Sequence, residues 1–136
     1  GGEGLRPCRD VRALGVPGGT PVTKVVRLRR SQGEPLALMR NWLPDPVPPL
    51  SIELLETKGL YEVLRNAGTR SCVARQRIGA CTADQEQAAL LEERRGAALL
   101  TMERTAFDDT GRAVEYGTHI YRASRYAFDF QLLVRP

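Results

Sequence analysis

Residues 21–43 read PVTKVVRLRRSQGEPLALMRNWL, and the alternation within them decides how the chain folds. Successive side chains of an extended chain point to opposite faces. Val22, Val26 and Leu28 therefore share one side, and Thr23, Val25, Arg27 and Arg29 the other. Ser31-Gln32-Gly33-Glu34-Pro35 supplies turn residues, and residues 36–43 return as a second strand. The stretch is a β-hairpin. Before it, residues 9–14 fit a short helical turn, closed by Gly15 and then Pro17-Gly18-Gly19.

After the hairpin, Pro44 to Pro49 carries four prolines in six positions, which excludes both a helix and a central strand. A helical turn fits residues 51–55. A second short helix fits residues 60–66, where Leu60, Val63 and Leu64 share a face and Gly68 can end it. Residues 71–80 read as extended. Thr82-Ala83-Asp84-Gln85 then predicts a capping box, with Thr82 as the cap and a helix running to about Arg94 before Gly96. Residues 97–107 are extended again, Asp108-Asp109-Thr110-Gly111 is a turn, and residues 113–121 return. A last strand is expected within residues 126–134.

Two stretches thus follow one plan: helical piece, glycine, strand, glycine turn, return strand. Aligning Gly19 with Gly96 brings Arg27 onto Arg104 without a gap, and the turn glycines Gly33 and Gly111 then differ by one position. The expectation is an α+β domain built from two related α-β-β units, with both hairpins in one antiparallel sheet and helices over one face. The other face must be buried too, or line something.

The chain has 136 residues and 15.0 kDa, with 42% hydrophobic and 26% charged residues, which suits one soluble globular domain with a single core. No apolar run reaches the roughly 20 residues that cross a bilayer. The glycine-rich start, followed by polar sequence, is not a secretory signal; residues 1–13 read as a linker or remnant with a short helix start, and the default location is cytoplasmic. Cys8, Cys72 and Cys81 lack metal-ligand spacing, and their odd number argues for isolated reduced thiols. With His119 the sole histidine, neither a metal site nor a cofactor is expected. The net charge of +4 is carried by arginine, with lysine only at Lys24 and Lys58. These arginines are dispersed and accompany no recognition-helix pattern. Arginine also grips carboxylates and phosphates in bidentate fashion, so charge alone does not choose between nucleic acid and a small anion.

Three features place chemistry on the scaffold. Arg27 and Arg29, two apart on one strand, project from the same face and repel unless an anion or carboxylates lie between them, although a solvated edge would also hold such a pair. On the second hairpin Glu115, His119 and Tyr121 share a face, opposite Val114, Tyr116, Thr118 and Ile120. A two-layer domain would leave that polar face in solvent; a cavity would use it to hold a polar small molecule. Tyr116, on the apolar face, belongs to the core. Lys58-Gly59-Leu60-Tyr61 opens a helix whose first amides favour an anion.

These residues resemble the UTRA domain, the effector-binding domain of HutC-type GntR regulators. Gly19-Thr20-Pro21-Val22, Val26-Arg27-Leu28-Arg29, Gly33-Glu34-Pro35-Leu36 and Trp42-Leu43-Pro44 are similar to its opening, and Gly59-Leu60-Tyr61 to its Ser-Leu-Tyr. Met102-Glu103-Arg104 through Gly111, Val114-Glu115-Tyr116 and Tyr121-Arg122 are similar to its C-terminal half. The resemblance spans residues 14–130 and assigns residues 14–136 to such a domain. It implies a chorismate lyase-like fold, a homodimer, and an N-terminal winged helix-turn-helix, absent from this sequence, through which DNA would be bound. It implies an effector site at Arg27, Arg29, Gly59, Tyr61, Glu115 and Tyr121, with His119 on the same face, and a small anionic metabolite as ligand. Gly59 stands for the usual serine, Met39 for a frequent glutamate, and Arg122-Ala123-Ser124-Arg125 for Arg-Gly-Asp-Arg. These departures open the site to a larger or less polar acid than a sugar phosphate. The implied role is sensing without catalysis; a lyase-like enzyme with Glu115 as acid or base, and a ligand-free dimerising domain, are the alternatives.

Overall fold

In the structure, a computed structural model, residues 21–134 are described. The first hairpin forms as its alternation requires, from β1 (Val22–Ser31) and β2 (Glu34–Pro44). Gln32 and Gly33, with φ of 53° and 80°, make the two-residue turn. Two successive positive φ angles match the right-handed twist of the strands they join. Downstream lie α1 (Ile52–Lys58), α2 (Leu60–Asn66), β3 (Val73–Thr82), α3 (Gln85–Leu91), β4 (Ala98–Phe107) and β5 (Ala113–Arg122). The strands form one antiparallel sheet in the order β1-β2-β5-β4-β3.

The return strands β2 and β5 therefore pair at the centre, with Arg40 opposite Thr118. Each of these lies seven residues past its turn glycine (33 to 40, 111 to 118), so the two hairpins are related by a local two-fold axis through that pair. Arg27 on β1 and Arg104 on β4 occupy the strands that flank this pair on either side. The helical piece and Gly19 of the first unit lie outside the described residues, as does the turn expected over residues 9–14.

Helices cover both faces of the sheet, where one covered face was expected. On one face α3 packs Ala88 and Leu91 against Leu38, Leu99 and Ile120. On the other, Leu60 and Leu64 of α2 pack on Leu43, with Val25 and Leu55 alongside. Further along that second face, Tyr126 and Phe128 cover Tyr121, whose ring stacks on Tyr126 at 4.5 Å between centroids. Tyr116 is buried against Trp42, their rings 5.5 Å apart.

Three local expectations are corrected. The capping box belongs to Asp84 and Gln87, whose side chains each accept from the other's backbone N–H, at 2.7 and 3.0 Å. Thr82 stays in the β3–β4 ladder opposite Ala98, and the Ala83 N–H continues it to Ala97, so the helix starts two residues later and ends at Leu91. Residues 126–134 form no strand: the chain leaves β5 through a turn and its aromatics settle on Tyr121 rather than on a sheet edge. Finally, Cys81 is buried and disulfide-bonded rather than a reduced thiol, whereas Cys72 is free and exposed.

The departure at residues 122–125 is structural. Arg122 is buried and donates to Glu93 Oε1 at 2.9 Å, Pro35 O at 2.9 Å and Glu92 O at 3.4 Å. Ser124 donates to the same Glu93 oxygen at 2.6 Å. Together they lock the end of α3 to the start of β2 and the end of β5.

Candidate functional site

Alternation places one polar set on the face that α2 only partly covers. In adjacent rows, Arg27, Met39, His119 and Met102 lie side by side across four strands, followed by Asn41, Gly117 and Arg104. Glu115 comes next along β5, below α2. Burial is near complete for Asn41, Glu115 and His119, at 0%, 1% and 2% exposed. Polar groups so deep must find partners, and a chain of hydrogen bonds supplies most of them. Arg27 Nη2 donates to Asn41 Oδ1 at 3.1 Å, and Asn41 Nδ2 donates to Glu115 Oε2 at 3.1 Å. Tyr61, reaching down from the first turn of α2, donates its hydroxyl to Glu115 Oε1 at 3.0 Å. The Arg104 guanidinium lies over the Tyr61 ring, 4.8 Å from its centroid. His119 Nδ1 faces the Tyr121 hydroxyl at 3.4 Å.

Three buried nitrogens are left over: Arg27 Nε, Arg104 Nε and His119 Nε2 have no hydrogen-bond partner. Gly117 lies among these groups. A Cβ on it would fall 2.8 Å from both Asn41 Nδ2 and Glu115 Oε2 and 3.4 Å from His119 Nε2, so the cluster closes over a position that only a glycine can fill without displacing its neighbours. Beside the cluster opens a cavity of about 420 Å³, lined by Tyr61, Arg65, Arg70, Ser71, Arg104 and Glu115. A second cavity, of about 570 Å³, continues from it past Leu64, Thr69 and Arg70 toward the β4–β5 turn.

Burial sets the electrostatics. It raises the Glu115 carboxyl above its usual range, against hydrogen bonds from Asn41 and Tyr61 and the nearby Arg104 and Arg27. It pushes His119 down to about 4, helped by Arg27, Arg104 and Arg29, so the imidazole is neutral at neutral pH. The Tyr61 phenol is raised by burial and by Glu115, and Tyr121 by burial. Burial also lowers Arg27, whose guanidinium nonetheless stays charged. Two guanidiniums thus face one carboxylate and a neutral imidazole, which leaves the cluster electropositive.

Of the residues the sequence singles out, the structure brings together Arg27, Tyr61, Glu115 and His119, with Tyr121 beside His119. Arg29 sits on the same face but is exposed at the margin. Gly59 lies at the α1–α2 junction with φ 77° and ψ 160°, a region that essentially only glycine occupies, and its N–H is spent on Leu55 O. Arg104, Asn41 and Gly117 were not expected as site residues. Arg104 was within reach, since the internal alignment sets it on Arg27. Asn41 could have been found from alternation with Met39; Gly117 carries no side chain to attract notice.

The UTRA domain model matches residues 7–127, and the chain belongs to the UTRA domain family. A transcriptional regulator from Streptomyces coelicolor is 54% identical, with 90% of this chain and 82% of that one covered and a TM-score of 0.85. The HTH-type transcriptional regulator GmuR of Bacillus subtilis (strain 168) is 27% identical over 122 residues, 88% of this chain; the chain spans about half (52%) of the length of GmuR. The effector binding domain of the B. subtilis trehalose repressor TreR has the same fold, with a TM-score of 0.77 at 23% identity, covering 97% of this chain and 94% of that one. The chain is accordingly a UTRA domain, and its relatives at 54% and 27% identity are transcriptional regulators rather than enzymes. Among the described residues no helix is long and apolar enough to cross a membrane.

Proposed function

We propose that this domain binds a small anionic metabolite between the sheet and α2, and that binding changes the DNA affinity of a homodimeric, cytoplasmic HutC-type regulator. DNA would be held by a winged helix-turn-helix outside this chain. The observation that carries the reading is the pair of buried, unpartnered guanidinium donors, Arg27 Nε and Arg104 Nε, with the unpartnered His119 Nε2 beside them, around the carboxylate of Glu115. Unpaired buried donors are costly, and an anion that accepts from them offsets that cost. Arg65 and Arg70 at the cavity wall extend the same preference. Arg29 at the margin and the first turn of α2 after Gly59 would add to it, and Tyr61, Glu115 and Tyr121 would orient the rest of the ligand.

Met39 and Met102 flank His119 on the floor, which favours a ligand with an apolar portion beside its acid. Coupling to DNA requires only that the ligand prefer one arrangement of the domain over another. The test is native mass spectrometry of the purified domain, with denaturing analysis of anything released, followed by calorimetry against a panel of phosphate esters, carboxylic acids and their neutral analogues. Binding of acids alone supports the reading. Equal binding of the neutral analogues would overturn it.

A further inference from the structure

The local two-fold axis through Arg40 and Thr118 carries its symmetry into the site. It takes the facing residues Arg27 and Met39 onto Arg104 and Gly117, and it takes Asn41 onto His119. Arg27 and Arg104 are thus equivalent positions, and each keeps a buried Nε without a hydrogen-bond partner. The symmetry breaks at Glu115, whose counterpart on β2 is Ala37. Two guanidiniums are therefore served by one carboxylate. Each also has further arginine near it: Arg29 lies two residues along β1 from Arg27 on the same face, and Arg65 and Arg70 share the cavity wall with Arg104.

The two guanidiniums are committed to different neighbours. Arg27 Nη2 donates to Asn41 Oδ1 at 3.1 Å, whereas the Arg104 guanidinium lies over the Tyr61 ring, 4.8 Å from its centroid. Asn41 and Tyr61 in turn donate to different oxygens of Glu115, to Oε2 at 3.1 Å and to Oε1 at 3.0 Å. The Glu115 carboxylate thus stands between the two cations. A compact anion that bridged both would lie against that carboxylate, and like charges at such range repel. Two acid groups on one molecule avoid the conflict, because each accepts from its own guanidinium in the charge-assisted manner that arginine favours. The surface between the poles suits what would join them. Met39 and Met102 lie on either side of His119, in the row that starts at Arg27. Flexible, polarisable thioethers favour a hydrocarbon spacer over a polyhydroxylated one.

We propose that the ligand is a diacid, with one acid group on Arg27 and the other on Arg104, joined by an apolar spacer across Met39 and His119. This rests on the anion reading above and deepens it, by fixing the number of acid groups and giving Arg104 one of its own. The test is crystallography of the whole chain with inorganic selenate, a compact dianion located by its anomalous scattering, for the unaltered protein, Arg27→Gln and Arg104→Gln. The crystals themselves verify that each variant keeps the fold. Two selenates are expected, one on each guanidinium, and each variant should lose its own and keep the other. In solution, calorimetry with succinate, glutarate, adipate and pimelate should find the tightest of them at least about tenfold tighter than its monoamide, a difference that either substitution abolishes. A single selenate shared by both guanidiniums, or monoamides that bind as tightly as the diacids, would overturn the diacid while leaving the anion reading intact. No selenate at either arginine would overturn both.

Discussion

His119 is held neutral by burial and by three arginines, and acid should expose what that costs. Its pKa falls from an ordinary 6.5 to about 4, while in the unfolded chain it returns to 6.5. Between those values the unfolded state binds a proton that the folded state refuses, so stability is full above pH 6.5 and falls as pH drops toward 4. The gap of about 2.5 pH units (6.5 − 4) corresponds to about 3 kcal/mol at its limit, and to about 2 kcal/mol at pH 5. Glu115 acts with the opposite sign, because its raised pKa favours the folded state as it is protonated. Comparing the protein with His119→Gln cancels that contribution. Urea unfolding at pH 7.5 and pH 5 should show the unsubstituted domain losing about 2 kcal/mol more than the variant. Because the sequence contains a single histidine, proton NMR of the imidazole, with any affinity tag removed, reads its titration directly. A midpoint near 4 that rises when an anion binds between Arg27 and Arg104 is expected. A midpoint near 6.5, or equal acid sensitivity in the two proteins, would refute the account of a buried imidazole facing arginines.

Other substitutions separate binding from folding. Arg27→Ala removes one charge-assisted donor and should weaken an anionic ligand about ten- to a hundredfold by calorimetry, with the fold retained at a cost of about 1–3 kcal/mol for the stranded Asn41 oxygen; unaltered affinity in the folded variant would remove Arg27 from the site. Gly117→Ala pushes a methyl against Asn41 and Glu115, and should cost about 1–3 kcal/mol in urea unfolding and abolish binding at the same ligand concentrations. Arg122→Ala strands Glu93 and the Pro35 carbonyl, and should cost about 3 kcal/mol while the affinity of the remaining folded protein is unchanged.

Local chemistry alone determined much of this protein. Two-residue alternation, paired turn glycines and a proline-dense crossing determine the hairpins and the break between them, because strand faces and turn angles depend on neighbours in the chain. The helix at Leu60–Asn66 was legible for the same reason, since Leu60, Val63 and Leu64 mark its buried face. Arg27, Glu115 and His119 could be set on one face by parity, and the internal alignment of Arg27 with Arg104 foreshadowed the two-fold relation. What parity cannot decide is which strands lie next to one another. Pairing of β2 with β5 is a long-range choice, and it alone brings Asn41 beside Gly117 and Arg27 within range of Glu115. The competition at Thr82 was likewise settled by distant residues: its backbone is worth more to β4 than to a helix cap, so Asp84 takes that role. Residues 126–134 have the composition of a strand, yet they form none, because Tyr126 and Phe128 gain more by packing on Tyr121 than alternation along the chain can reveal.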